Sequence, residues 1–418
     1  MTALRSTFAA RALLGATLAL TPVAASLAAF KTIDWGQTYS DYGHTGYNPR
    51  EKALSAVNVS SLKLNWARSL PADVRAFVVN DRSVVARVPS DDGQSLDLWN
   101  LNYTTGETVW KIGTGPDVAA ANNTLATGSH RIFTECGLVD DVGYKYSGIC
   151  GYRKSDGKLV YQFSSPCNCI PEAKVVTSVL YAHGIIFFGY FMGGQGGQEY
   201  AIAADAVTGE IYEAYKAGGQ NSLGSAPSVQ GGHQVYFGCS NSVCALGHRN
   251  GNLRWKSDLG APIGALTADR SRRLYANLCN GTAGVVALDQ ATGAPLWSYG
   301  AGECNGTPAA IAKDHVYFTG ADTKVHALDA LSGAELWATS AGAASSASVA
   351  NGVVYVGGVD SAPATSAYDA QTGALLWNTE PHASTYRLPP EIIDGTLFVA
   401  NEQCGSLCAY GLPSPKGK

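Results

Sequence analysis

One local pattern recurs seven times along these 418 residues: an apolar strand, often ending Ala-Leu-Asp, then two residues and Thr-Gly, then three residues and Trp. The clearest copies are ALDQATGAPLW ending at Trp297, ALDALSGAELW ending at Trp337 and AYDAQTGALLW ending at Trp377. Weaker copies are LNYTTGETVW ending at Trp110, YRKSDGKLVY ending at Tyr161 and LGHRNGNLRW ending at Trp255. In the seventh, AADAVTGEIYE, Tyr212 stands one place early and Glu213 occupies the aromatic position. The turn glycines are Gly106, Gly157, Gly209, Gly251, Gly293, Gly333 and Gly373, at spacings of 51, 52, 42, 42, 40 and 40. A period of about 40 to 50 residues is what four-stranded propeller blades require, whereas helical repeats of that length need a 3.6-residue amphipathic pattern that these segments lack. The repeat predicts an all-β chain.

The chemistry of the motif is local. Thr-Gly or Asn-Gly lets the chain reverse through a positive φ, and the Asp before it (Asp205, Asp289, Asp329, Asp369) can accept turn N–H groups. The Trp is expected to pack between sheets. Ahead of each motif lies a β-rich run such as His315-Val-Tyr-Phe-Thr or Val353-Val-Tyr-Val-Gly, preceded by a small-residue strand such as Gly224-Ser-Ala-Pro-Ser. These supply the second and innermost strands.

The two chain ends complement each other. Aligning Cys408-Ala-Tyr-Gly with the blade ending at Trp377 sets Tyr410 over Tyr368, so the next Trp would fall just beyond the last residue. Near the amino end Ser61-Leu-Lys-Leu-Asn-Trp66 is an orphan strand, 44 residues before Trp110. That strand is expected to complete the last blade, giving an eight-bladed β-propeller closed by its N-terminal strand and free of the open sheet edges that invite aggregation.

The expected organisation is a signal peptide over 1–29, a lead-in over 30–60, the propeller over 61–412 and a tail over 413–418. Arg5 and Arg11 precede the apolar stretch Ala12 to Leu20, and small residues follow to Ala29, which is the layout of a secretory signal with cleavage after Ala25, Ala28 or Ala29. No later run is long and apolar enough for a membrane span. A net charge of −4 without basic runs argues against nucleic-acid partners. The ten cysteines suit disulfides in an exported chain, periplasmic or extracellular. Cys136–Cys150, Cys239–Cys244 and Cys404–Cys408 each bracket one hairpin; by elimination Cys279 meets Cys304, and Cys167 with Cys169 closes a small ring. His315 and His326 fall singly on strands, where packing or solvation explains them.

At these repeats the chain resembles the PQQ-like propeller family, which includes quinoprotein alcohol dehydrogenases and an outer-membrane assembly propeller. The lead-in Trp35-Gly-Gln-Thr-Tyr-Ser-Asp-Tyr-Gly-His-Thr-Gly-Tyr-Asn-Pro, followed by Leu62 to Trp66, is similar to that family's entry segment. The resemblance implies PQQ, a calcium ion, a catalytic Asp and a disulfide of adjacent cysteines in the enzymes. This chain has no Cys-Cys pair and no CxxCH, so no catalytic or cofactor position carries over. Within the channel the segment HASTYRLPPE offers Arg387 and Glu391 as the candidate charged pair, against the plainer reading of an ordinary ion pair or solvated loop. The expected function is a monomeric, non-enzymatic scaffold binding a protein or small-molecule ligand on one face. The alternatives are a PQQ- and calcium-dependent oxidoreductase with a divergent site, and a structural part of an envelope assembly.

Overall fold

The computed structural model describes residues 40–80, 82–116, 125–128, 130–139, 145–163, 174–192, 197–218, 223, 225–229, 234–279, 284–300, 307–342, 345–358, 363–382 and 388–413. Residues 1–39, which include the expected signal segment and the start of the lead-in, and Cys167, Cys169, Cys304, Arg387 and residues 414–418 lie outside them. The described strands form eight sheets, antiparallel apart from one added strand, Tyr47–Asn48, and all but one run in sequence order from an inner to an outer strand. We number these blades I to VIII, spanning 76–116, 125–163, 174–218, 228–258, 263–299, 310–340, 348–378 and 391–411. Blade VIII takes its outer strand from Lys63–Arg68, which pairs antiparallel with Gly405–Gly411. The ring is therefore closed by joining the two ends of the chain.

The motif turns explain why each blade reverses where it does. In blade V, Asp289 Oδ1 accepts the N–H groups of Ala291 and Thr292 at 3.0 and 2.9 Å, and the Thr292 hydroxyl at 2.9 Å. Asp205, Asp329 and Asp369 cap their turns in the same way. The Thr292 and Ser332 hydroxyls hold the Asp289 and Asp329 carboxyls below the usual carboxylate range. Gly293 and Gly333 follow at φ of 73° and 72°, and a second demand falls on them. A Cβ on Gly293 would lie 2.5 Å from the Trp255 ring of the preceding blade, and one on Gly333 would lie 2.6 Å from Trp297. The glycine thus serves both the turn and the blade-to-blade contact.

The core follows this plan as a series of clusters between adjacent blades rather than one central core. Phe133, Phe163, Val175 and Phe188 join blades II and III, and Leu180, Phe187, Val235 and Phe237 join III and IV. The largest cluster unites Leu54, Val59, Leu62 and Trp66 with Tyr355, Ile392, Phe398 and Leu407, bringing the lead-in and both chain ends together. Cys136–Cys150, Cys239–Cys244 and Cys404–Cys408 are disulfide-bonded within their blades, with Cα separations of 5.8, 5.9 and 6.4 Å. Cys279 is also disulfide-bonded. No helix among the described residues is long and apolar enough to cross a membrane.

Candidate functional site

A propeller's natural binding place is its axis, where inner strands converge. Inner strands carry an unpaired edge there, and each buried N–H on that edge must find an acceptor. In this protein much of the edge is served by the lead-in. The carbonyls of Tyr42, Gly43, Thr45 and Gly46 accept the N–H groups of Val229, Ala268, Ile311 and Val349 at 2.7 to 2.8 Å, one on each inner strand of blades IV to VII. Tyr47–Asn48 then adds parallel to Ser348–Ala350, and Asn48 Nδ2 donates to the Ile392 carbonyl of blade VIII at 2.7 Å. Residues 42–48 form a belt over five inner strands.

Glu391 continues this series. Its Oε2 accepts the N–H of Val79, on the inner strand of blade I, at 2.7 Å. The carboxyl is buried, and that burial pushes its pKa well above the usual carboxylate range despite the Val79 bond. Beyond it, Lys154 Nζ donates to the Asn80 carbonyl and to Asn80 Oδ1 at 2.8 and 2.7 Å, and Asn80 Nδ2 donates to Thr127 Oγ1 at 2.7 Å. Blades I and II are thereby tied at the same end of the axis.

At the opposite end, where inner strands begin, other buried polar groups hold neighbouring blades in the same manner. Glu199 accepts the Leu223 N–H. Glu402 accepts the hydroxyls of Thr365 and Thr379. Asn401 makes a two-way contact with the Val74 backbone, at 2.8 and 3.0 Å. Arg87 and Glu135, both buried, face each other across blades I and II at 3.9 Å. These groups act chemically as staples.

A more elaborate cluster lies away from the axis, between blades V and VI. The ring of His326 stacks on Phe318 at 4.9 Å, with Nδ1 3.2 Å from Glu335 Oε2 and Nε2 3.1 Å from Asp322 Oδ1. Tyr299 of blade V donates to the same Glu335 oxygen, and this bond is the main cause holding Glu335 below its ordinary range. The His-Asp spacing of four residues is visible in the sequence, but the partners Tyr299 and Glu335 sit on separate strands and carry no linear signal. The same holds for His44 in the belt, which is fully buried and whose pKa burial lowers to about 4, against the pull of a bond to the Leu266 backbone.

A calcium–quinone group does not fit the residues described. Calcium needs six or more oxygen ligands converging on one point. Among the described residues no three His, Cys, Asp or Glu side chains converge to hold a metal. Glu391, Glu199 and Glu402 are turned toward backbone N–H groups or hydroxyls of other blades instead.

Similarity to known proteins follows the same division. The sequence profile of the family described as outer membrane protein assembly factor BamB matches residues 100–278 and 281–413. The chain is 22% identical over 259 residues to the tetrathionate hydrolase of Acidithiobacillus ferrooxidans, covering 54% of this chain and 49% of that protein, so it spans about half the length of the curated relative it matches. Among solved structures, a europium-containing methanol dehydrogenase superposes with a TM-score of 0.70 at 14% identity, covering 88% of this chain and 89% of that one. The quinohemoprotein alcohol dehydrogenase of Comamonas testosteroni gives 0.68 at 14% identity, covering 92% and 82%. BamB from Moraxella catarrhalis gives 0.58 at 14% identity, covering 84% and 99%. At such identities these structures speak for the fold alone. The match of the family profile to most of the repeats is of another kind, and by it this chain belongs to the PQQ-like propeller family described as outer membrane protein assembly factor BamB.

Proposed function

We propose that this protein is an exported scaffold that binds a partner protein or ligand on one face of its disc. The observation that carries the reading is the use to which the axis is put. The belt of residues 42–48 and the carboxyl of Glu391 are spent on inner-strand N–H groups, and Glu199, Glu402 and Asn401 on joining blades. Among the described residues, what remains for recognition is the surface of the disc. Export is supported by the three intra-blade disulfides, which persist in oxidising compartments.

The face where inner strands begin is the favoured one, because blade length varies there. In blades VIII and I to III the second and third strands run to between 7 and 9 residues, against 5 or 6 in blades IV to VII. The longer hairpins raise one side of that face. The wider repeat spacings of 51 and 52 in this part of the chain are the same feature seen in sequence.

Two measurements test the proposal together. Crosslinking in the native host followed by affinity capture should recover a defined partner in near-equal amount. The purified full chain, supplied with PQQ and Ca²⁺, should not oxidise primary alcohols, polyols or aldoses in a dye-linked assay, and should not consume tetrathionate. Alcohol turnover abolished by chelation would replace the scaffold with the oxidoreductase reading. Tetrathionate consumption would replace it with a hydrolase like the curated relative.

A further inference from the structure

The hairpin between the second and third strands of blade VIII fastens the ring where the two chain ends meet. Asn401 holds the Val74 backbone on the approach to blade I, at 2.8 and 3.0 Å. On the blade VII side Glu402 accepts the hydroxyls of Thr365 and Thr379. The Ser406 hydroxyl accepts the Leu70 N–H at 3.0 Å, just beyond the closing strand Lys63–Arg68. Ala67 and Arg68 of that strand pair directly with Cys408 and Leu407. Gly405 packs so closely on the same strand that a Cβ would lie 3.1 Å from the Arg68 carbonyl oxygen. One hairpin thus holds blade VII, the approach to blade I and the amino-terminal strand.

A disulfide spans this hairpin, from Cys404 in its turn to Cys408 in the strand beside the closing strand. Of the disulfides whose two cysteines are both described, it alone has a partly exposed member. Cys404 is that member, whereas Cys136, Cys150, Cys239, Cys244 and Cys408 are all at most 4% exposed. Exchange begins when a thiolate attacks a disulfide sulfur, so access selects among bonds of the same kind. The surroundings suit both the opening and the re-forming of this bond. The Gly405 carbonyl stands 3.7 Å from Cys408 Sγ, where it can accept the hydrogen of a buried thiol. The Tyr410 hydroxyl donates to Cys404 Sγ at 3.4 Å. Burial, together with the Glu402 carboxylate, pushes the Tyr410 pKa up to about 12, so the phenol keeps its proton. A donor so placed stabilises negative charge on the Cys404 sulfur once the bond is open.

We propose that Cys404–Cys408 is a thiol–disulfide exchange site that an external dithiol opens, loosening the hairpin that fastens the ring while Cys136–Cys150 and Cys239–Cys244 stay intact. One thiolate of the dithiol bonds to Cys404 Sγ and expels Cys408 as a thiolate, which takes up a proton. The second thiolate of the dithiol then attacks the dithiol sulfur bonded to Cys404 and expels Cys404. Two electrons and two protons pass to the cysteine pair, and the dithiol leaves as a disulfide. With an oxidised dithiol the steps run backwards, and Cys404, beside its phenol donor, attacks first.

Differential alkylation of the folded full chain in dithiothreitol, read by mass spectrometry, gives the order in which the bonds open. Cys404 and Cys408 should be alkylated at least about tenfold faster than Cys136, Cys150, Cys239 and Cys244. Under the same conditions hydrogen–deuterium exchange in Lys63–Arg68 should rise at least about threefold, with Leu253–Asp258 unchanged. The double variant Cys404→Ser/Cys408→Ser should show the raised exchange from the outset and no response to dithiothreitol; if it does not fold, the two wild-type measurements still decide. Opening of all three disulfides at one rate would overturn the proposal, because global unfolding would then be what exposes them. So would selective opening that leaves exchange in Lys63–Arg68 unchanged, because the bond would then not secure the closure.

Discussion

At the scale of single residues, the turn glycines carry two demands that a pair of substitutions can separate. Gly352 has φ of 81° with nothing within 4 Å of an added Cβ, whereas Gly333 has φ of 72° and an indole 2.6 Å away. Gly352→Ala should therefore cost about 1 to 2 kcal/mol of backbone strain. Gly333→Ala should add roughly 1 to 3 kcal/mol of overpacking to that. Denaturant midpoints of the two variants check the difference, and equal losses would show that the indole contact yields freely. Two buried groups on the axis set opposite pH dependences. For His44 the folded value of about 4 lies below the ordinary 6.5, so the fold favours the neutral ring. Its contribution is complete above pH 6.5 and disappears as pH falls toward 4, to a total of about 3 kcal/mol. His44→Gln should flatten this acid limb in a series of melts. Glu391 is raised instead, so its contribution is present below the ordinary carboxylate value and is lost as pH rises through the folded one. Glu391→Gln keeps an oxygen for the Val79 N–H, and it should raise the melting temperature at pH 8 while leaving that at pH 4 nearly unchanged.

At the scale of elements, the lead-in makes two separable contributions. Residues 42–48 serve inner-strand edges, and Lys63–Arg68 supplies the outer strand of the last blade. Deletion through residue 50 removes only the first and should leave a monomer that melts lower by about 5 °C or more, as a loss of several buried hydrogen bonds requires. Deletion through Trp66 removes both, exposes the edge of Gly405–Gly411 and should give aggregated or protease-sensitive material. Size-exclusion chromatography with limited proteolysis distinguishes the two outcomes, and a monomer of unchanged stability after the longer deletion would defeat the closure argument. The disulfides differ by loop length. Cys136–Cys150 closes 14 residues, and its loss should cost about 3 kcal/mol in the chain-entropy account, against about 2 kcal/mol for Cys404–Cys408, which closes 4. Peptide mapping without reduction and melts of the paired Cys→Ala variants test both numbers.

At the scale of the whole molecule, the disc is uneven in ways that its repeats foreshadow. The long hairpins of blades VIII and I to III, the replacement of the motif Trp by Tyr161 and Glu213 on either side of blade III, and the closure at blade VIII give each sector a distinct character. The eight-bladed ring and its closure by Trp66 were legible from sequence because they are written locally: a period, a turn glycine and an aromatic recur at fixed spacing, and each needs only its neighbours to express its preference. The slipped aromatic at Tyr212 and Glu213 was equally visible. Glu391 falls at the start of an inner strand, but its bond to Val79, 312 residues away, has no counterpart in the sequence. The belt, the contact from Tyr299 to Glu335 and the Arg87–Glu135 pair carried no signal either. Their partners lie on different blades and meet only through the packing of the ring, and no periodic signal marks a contact that occurs once. Blade number and closure are therefore properties of this amino-acid sequence read alone, while the use of the axis, and what the disc leaves free for recognition, were decided by tertiary structure, where buried N–H groups without a sheet neighbour had to be satisfied by whatever the closed ring brought near.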